Sequence, residues 1–197
     1  MAELALKAFH AWKESHDLRN SKVGSQSEVD LTGEQEVVYF YKSTLKAILD
    51  EKPTSIVIRF GCSDAGSKFR LLDAAIQGRD GSDGFTNTYL SHKTLGTGAD
   101  ELNPPGWLHC EGYFKERNQV INDKKYSFQF EDERGGIRHS VADFTTWFDQ
   151  LDPNGEVAAY FLRDHEKTTV GFVDAGFNPL SPTTIFQIFD QGNKCCP

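Results

Sequence analysis

Residues 54–78 constrain the fold more than any other segment, because an apolar run there ends at a glycine and a second patterned segment follows. Residues 54–60 read TSIVIRF, and such a run of apolar and β-branched side chains predicts a buried strand. Residues 67–77 carry apolar side chains at helical spacing and predict a helix. A helix entered through a tight turn directs its first, unpaired N–H groups at the space above that turn. The segment therefore predicts a strand-turn-helix unit at 54–77 that can bind an anion.

The glycines of this turn resemble those of a phosphate-binding loop only in part. Gly61 and Gly66 have the spacing of that motif, but Ser67 and Lys68 stand where it requires Lys followed by Ser or Thr. The donors left for a phosphate or another anion are Ser63, Gly66, Ser67 and Lys68. A simple turn in which polar side chains cap the following helix explains the same residues.

Length, composition and charge narrow the class of protein. The chain has 197 residues, 38% of them hydrophobic and 25% charged, as in globular proteins, and the sequence predicts a single domain over 1–197. A net charge of −8 without a basic run repels nucleic acid. The first residues, MAELALKAFH, lack the apolar stretch of a signal peptide or membrane span. We therefore expect a cytoplasmic protein that binds neither nucleic acid nor a membrane.

Helical patterns occur at three further places in the sequence. Residues 2–18 have apolar side chains on one face, and residues 37–49 follow a Thr-x-x-Gln capping pattern at position 32. Residues 140–151 begin with a Ser-x-x-Asp pattern of the same kind. The polar stretch near 19–31 predicts a mobile loop between the first two helices.

Strand patterns dominate the second half of the chain. Residues 78–106 are glycine-rich and predict a long loop. Alternating or continuous apolar side chains predict strands at 107–114, 125–131, 156–163, 168–173 and 183–189, the third and fourth forming a hairpin with a four-residue loop. Helices near the start and hairpins later predict an α+β fold, with N-terminal helices packed on a largely antiparallel β-sheet.

A metal site is the first candidate for catalysis. His109 and Glu111 are two residues apart in a predicted strand, so both side chains would lie on one face. With His165 as a third ligand, or His139 in its place, they would form a two-histidine, one-carboxylate site of the non-haem iron or zinc type. A zinc deaminase is excluded because the P-C-x-x-C segment of that family is missing. A histidine that only forms surface hydrogen bonds fits the same pattern.

A cysteine nucleophile at Cys62 is the second candidate. The predicted helix would stabilise its thiolate, and His109 or His139 could serve as the base of a cysteine hydrolase. A small buried cysteine beside a strand is the simpler explanation. The remaining cysteines, which include the adjacent Cys195 and Cys196, show no C-x-x-C spacing, so neither a disulfide framework nor a zinc cluster is predicted.

None of these patterns is complete, and the sequence leaves open whether the protein is an enzyme. The predicted function is a soluble intracellular module that binds another protein or assembles with itself as a homo-oligomer, without a cofactor. Fifteen Phe, six Tyr and three Trp favour this interpretation, because aromatic residues are enriched at interfaces. A metal-dependent enzyme is the first alternative. An anion-binding protein or cysteine hydrolase built on residues 54–77 is the second.

Overall fold

A computed structural model of the chain describes residues 7–14, 36–64, 70–80, 88–90, 101–102, 136–164, 167–174 and 193–194. Three helices lie in these ranges: α1 (7–14), α2 (Lys42–Asp50) and α3 (Val141–Phe148). The described strands are β1 (Val37–Tyr41), β2 (Ser55–Asp64), β3 (Arg70–Arg79), β4 (Thr88–Leu90), β5 (Glu101–Leu102), β6 (Gly136–Ser140), β7 (Glu156–Asp164), β8 (Lys167–Asp174) and β9 (Asn193–Lys194).

The described strands form two sheets, and each described pair is antiparallel. A small sheet has the strand order β1-β7-β8, and a large sheet has the order β5-β4-β3-β2-β6-β9. Helices and antiparallel strands together confirm the predicted α+β class. The strands divide between two sheets, however, where the sequence predicted one.

One hydrophobic core joins the two sheets. Alternate side chains of β2, β3 and β6 in the large sheet and of β1, β7 and β8 in the small sheet belong to the same buried cluster, together with side chains from all three helices. Its largest members with almost no exposed surface are Trp12, Phe40, Phe60, Phe144, Phe161 and Phe172. Both sheets therefore turn an apolar face to a shared interior.

Helix α1 contacts both faces of β7. Phe9 packs edge-on against Tyr160 with 5.6 Å between ring centroids, whereas Trp12 stacks on Phe161 at 5.7 Å. Neighbouring side chains of a strand point to opposite faces of its sheet. The helix therefore lies where β7 continues past the start of β1, and a Lys13–Glu36 ion pair of 2.8 Å joins it to the residue before β1.

The predicted helix over 67–77 is wrong. Residues 70–79 form strand β3, which pairs with β2 through ten consecutive residue pairs from Ser55–Arg79 to Asp64–Arg70. The sequence LLDAAI in this segment fits a helical period, and it also places Leu72, Ala74 and Ile76 at alternate positions on one face of a strand. Pairing with a long neighbouring strand decides between the two. Strand β2 also continues past Gly61 to Asp64, so the predicted strand-turn-helix unit is a pair of antiparallel strands.

The second predicted helix is correct only in its second half. Residues 37–41, VVYFY, form strand β1, in agreement with the strand preference of β-branched and aromatic side chains. Helix α2 begins at Lys42 without a side-chain cap, since Tyr41 occupies the N-cap position. The helix ends before Lys52, whose φ of 54° lies in the left-handed region, and Pro53 follows.

The third predicted helix and the hairpin after it are confirmed. The Ser140 hydroxyl accepts a 3.5 Å hydrogen bond from the Asp143 backbone N–H at the start of α3. Gly155 has a φ of 92° in the turn before β7. Asp164 pairs directly with Lys167, so the pairing of β7 with β8 includes the first and last residues of the four-residue loop predicted at 164–167.

Other predictions fall partly or wholly outside the described residues. The helix predicted at 2–18 is described over 7–14. The short strands β4 and β5 lie within the loop predicted at 78–106. The loop near 19–31 and the strands at 107–114, 125–131 and 183–189 lie outside the described ranges.

Candidate functional site

The predicted metal ligands His109, Glu111 and His165 all lie outside the described residues, so the metal site stays a prediction. Within the ranges that the structure covers, no three His, Cys, Asp or Glu side chains come together in a way that could hold a metal ion.

Cys62 and His139 are too far apart to act as a nucleophile and its base. Cys62 lies opposite Leu72 in the β2–β3 pair, whereas His139 lies opposite Ile56 in the β2–β6 pair. The two positions are six residues apart along β2, which corresponds to about 20 Å. This pairing is wrong, while Cys62 with His109 stays a prediction.

The anion site was predicted from a helix that the structure does not contain, because residues 70–79 form a strand. Ser63 lies in β2 opposite Leu71. Gly66, Ser67 and Lys68 lie outside the described residues. The dipole of a following helix is therefore not available to support an anion at these donors.

His139 is a fully buried histidine of the core. Its ring lies edge-on to Phe172 at 5.9 Å between centroids and 6.4 Å from the Phe144 ring. Burial disfavours the charged imidazolium and lowers the pKa of His139 to about 4. The imidazole is therefore neutral near pH 7 and packs with the aromatic side chains around it.

A buried lysine at the start of α2 forms an ion pair with the last residue of β8. Lys42 is 2% exposed at the first position of α2, and its Nζ lies 2.6 Å from Oδ1 of Asp174, which is 49% exposed at the end of β8. The Lys42 backbone N–H also donates a 3.0 Å hydrogen bond to the Gly155 carbonyl. The ion pair thus connects the β1–α2 junction to β8, with the carboxylate at the solvent side.

The large sheet carries a group of polar residues on the face that points away from the core. Neighbours such as Ile58, Leu72 and Ile137 belong to the core, so the alternate positions face the opposite side. Four of these positions define what we call the polar face: Arg59 in β2, Asp73 and Gln77 in β3, and Arg138 in β6.

Burial shows that the polar face is a covered layer. Asp73 and Gln77 are 1% and 2% exposed, and the apolar Val57 and Ala75 between them are fully buried. Arg59 and Arg138 are half-buried. Charged and amide groups in such a layer must be matched by other polar groups, since burying them unpaired is costly.

The register brings these four side chains together. Arg59 lies opposite Ala75 on one side and Gly136 on the other, whereas Val57 lies between Gln77 and Arg138. Arg59 is therefore a diagonal neighbour of Asp73, Gln77 and Arg138, at Cβ separations of about 7 Å. Long arginine side chains reach across that distance.

Sequence reasoning missed the polar face because the helix predicted at 67–77 placed its residues wrongly. Asp73 and Gln77 are four residues apart, which puts them on one face of a helix as well as on one face of a strand. The signal that could have found them is the alternation of Leu72, Ala74 and Ile76 with Asp73 and Gln77, which the apolar Ala75 interrupts.

Strand β8 forms one edge of the small sheet as described. It pairs with β7 through eight residues, from Asp164–Lys167 to Val157–Asp174, and β7 is its one neighbour among the described strands. The six residues from Thr168 to Val173, TTVGFV, contain neither a charge nor a proline.

Comparisons with protein-family models, with curated proteins and with solved structures found no match to this chain. Of the helices that the structure describes, none has the length and apolar character needed to cross a membrane.

Proposed function

We propose that the protein is a self-assembling module and that two copies associate through the outer edge of strand β8. The observation that carries this proposal is the position of β8, which has β7 as its single described neighbour. Two antiparallel copies of β8 would join two small sheets into one. A cytoplasmic location, expected from the sequence, stays a prediction beside it.

The register identifies the backbone groups that such an assembly would use. Phe161 donates its N–H to the Glu36 carbonyl, so odd-numbered residues of β7 point their backbone groups at β1 and even-numbered ones at β8. The partners of the even-numbered residues are the odd-numbered positions of β8. The N–H and C=O groups of Thr168, Val170 and Phe172 consequently point away from β7. Val170 and Phe172 have no exposed surface in the single chain, so pairing with a second copy requires that whatever covers them there moves aside.

These groups suit a two-fold pairing of identical strands. If Val170 lies opposite its own copy, Thr168 lies opposite Phe172 of the second chain, and each residue pair exchanges two hydrogen bonds. Opposite residues then also share a face of the extended sheet, as pleating requires. A closed, isologous dimer is the commonest assembly of identical chains.

The sequence of β8 supports the same conclusion. Edge strands that must avoid association commonly carry a central lysine, a proline or a bulge. The residues from Thr168 to Val173 have neither lysine nor proline, and their pairing with β7 is regular throughout. The charge of −8 on each copy opposes association elsewhere on the surface, but six uncharged residues do not add to this repulsion.

The test compares Thr168→Pro with Thr168→Ala by sedimentation velocity at micromolar concentrations. Both variants lose the side chain, but proline alone removes the outward N–H. We expect the wild-type protein and Thr168→Ala to form a dimer. Thr168→Pro should shift toward the monomer, with a dimer dissociation constant at least about tenfold higher. Thermal unfolding of the monomer should remain similar in all three.

Two results would overturn the proposal. One is a wild-type protein that sediments as a 22 kDa species at every concentration tested. The other is a dimer that Thr168→Pro leaves intact, because association would then use another surface. A Thr168→Pro monomer that unfolds at a much lower temperature would instead indicate that this edge pairs within the chain, which also contradicts the proposal.

A further inference from the structure

We infer that the polar face of the large sheet binds a small anionic ligand, whose carboxylate or phosphate group is held between Arg59 and Arg138. This inference is independent of self-association at β8, because the polar face belongs to the other sheet.

The two arginines are placed to act on one group. They lie on adjacent strands, diagonally across the β2–β6 pair, and both are half-buried on the same face. The residue directly opposite Arg59 in β6 is Gly136, which has no side chain to separate the guanidinium groups. Two planar guanidinium groups about 7 Å apart at Cβ can converge on the oxygen atoms of one carboxylate or phosphate.

The remaining polar residues define the boundary of the site. Asp73 Oδ1 accepts a 2.8 Å hydrogen bond from the Ala74 backbone N–H, which holds that carboxylate oxygen against β3. The amide of Gln77, on the far side of Val57 from Arg138, adds both a donor and an acceptor. The four residues of the polar face thus carry two cations, one carboxylate and one amide, and Arg79 lies on the same face two residues beyond Gln77. The excess of positive charge favours an anion in a chain of net charge −8.

Arg138 supplies a second observation. Its Nε is buried and has no hydrogen-bond partner among the described residues. A buried guanidinium N–H without an acceptor is costly, and a ligand oxygen at that position would remove the cost. Arg138 is therefore the residue whose change should affect binding most directly.

The burial of this face limits the size of the ligand. Val57 and Ala75 are fully buried beside the arginines, so a nucleic acid backbone has no open surface to lie on. The overall negative charge also repels such a polymer. We therefore expect a small molecule with a single anionic group.

Isothermal titration with inorganic phosphate and, separately, with succinate tests the inference and distinguishes the two ligand chemistries. We expect saturable binding of at least one of them to the full-length protein. Arg138→Gln should weaken that binding about 10- to 100-fold, the effect of losing a charge-assisted hydrogen bond. Arg163→Gln is the matched control, since Arg163 lies on β7 in the small sheet and its replacement removes the same charge. Its affinity should equal that of the wild type.

Arg138→Lys keeps the inference testable if Arg138→Gln fails to fold. Lysine retains the charge but lacks the bidentate geometry, so we expect about tenfold weaker binding with an unchanged unfolding temperature. Absence of saturable binding by the wild type to either anion would overturn the inference. Binding that neither Arg138 variant weakens would overturn it equally, because the arginines would then serve only ion pairs within the protein.

Discussion

Lys42 Nζ lies 2.6 Å from Asp174 Oδ1 and ties the first turn of α2 to the last residue of β8. The two partners differ greatly in exposure, at 2% for the lysine and 49% for the aspartate. Breaking the pair should therefore be costly for the lysine, because its ammonium group is shielded from water whereas the carboxylate stays partly hydrated.

Asp174→Asn should destabilise the protein by about 1.5 to 3 kcal/mol, since it leaves the buried Lys42 charge without its carboxylate. Lys42→Met should cost less, because it removes the buried charge along with the pair. Asp50→Asn is the control: it breaks the exposed Lys46–Asp50 pair of α2 and should cost under about 0.5 kcal/mol. Urea unfolding measures all three, and equal losses for Asp174→Asn and Asp50→Asn would contradict the argument.

His139 should make the stability depend on pH in a defined window. Burial lowers its pKa from 6.5 to about 4 in the folded protein. The folded state therefore binds the proton less readily than the unfolded state, and stability present above pH 6.5 is lost as the pH falls toward 4. This difference between the pKa values of the unfolded and folded states corresponds to a loss of folding stability on the order of 3 kcal/mol below pH 4.

The measurement is urea unfolding of the wild type and His139→Phe between pH 7 and pH 4. Carboxylates titrate in both proteins, so the difference between the two curves isolates the histidine. The free energy of unfolding of the wild type should decrease relative to that of His139→Phe as the pH falls, because phenylalanine has no proton to gain. His10→Gln, which changes an exposed histidine on α1, is the control for replacing a histidine outside the core. Parallel curves for wild type and His139→Phe would show that the histidine does not titrate.

How far the sequence predicted the fold depended on whether local signals and pairing agreed. Helix α3 was predicted closely because Ser140 and Asp143 cap it and a Pro-Asn-Gly turn follows it. The apolar faces of the predicted helices and strands also predict a core of twelve residues. The structure shows seven of them buried: Val38, Leu45, Ile48, Ile56, Ile58, Phe161 and Phe172. Tyr41 and Phe148 are only half-buried, and the predicted core positions Phe128, Phe186 and Ile188 lie outside the described residues.

The errors occurred where a segment satisfied two periods at once. Val37, Val38 and Tyr41 fit a helical stripe, yet residues 37–41 pair with β7 as a strand. The same ambiguity at 67–77 hid the polar face, because the faces of a strand cannot be assigned from a helical interpretation. Pairing across two distant strands, such as β2 with β6, has no local signal in the sequence.

Phe172 should be among the most costly side chains to truncate. It is fully buried in β8, and its ring lies edge-on to Phe144 at 5.4 Å and 5.9 Å from Trp147. Phe172→Ala should therefore cost about 3 to 5 kcal/mol, from lost transfer energy and the cavity left behind. Phe148→Ala is the matched control, because Phe148 is only partly buried at the end of α3, and should cost about 1 to 2 kcal/mol. Equal losses in urea unfolding would show that β8 is not part of the central core.

Gly136 should tolerate no side chain, whereas Gly155 should accept one at a small cost. A Cβ at Gly136 would lie 2.6 Å from the Ile58 carbonyl oxygen, which is backbone and cannot turn aside, so β2 and β6 would have to separate. Gly155 has open space around it, and alanine there meets only the strain of its φ of 92°, about 1 kcal/mol. We expect Gly136→Ala to cost clearly more than Gly155→Ala, with faster amide hydrogen exchange concentrated in residues 136–140 and their partners 55–59. If exchange in those residues stayed as slow as in the wild type, the close contact between β6 and β2 would be refuted.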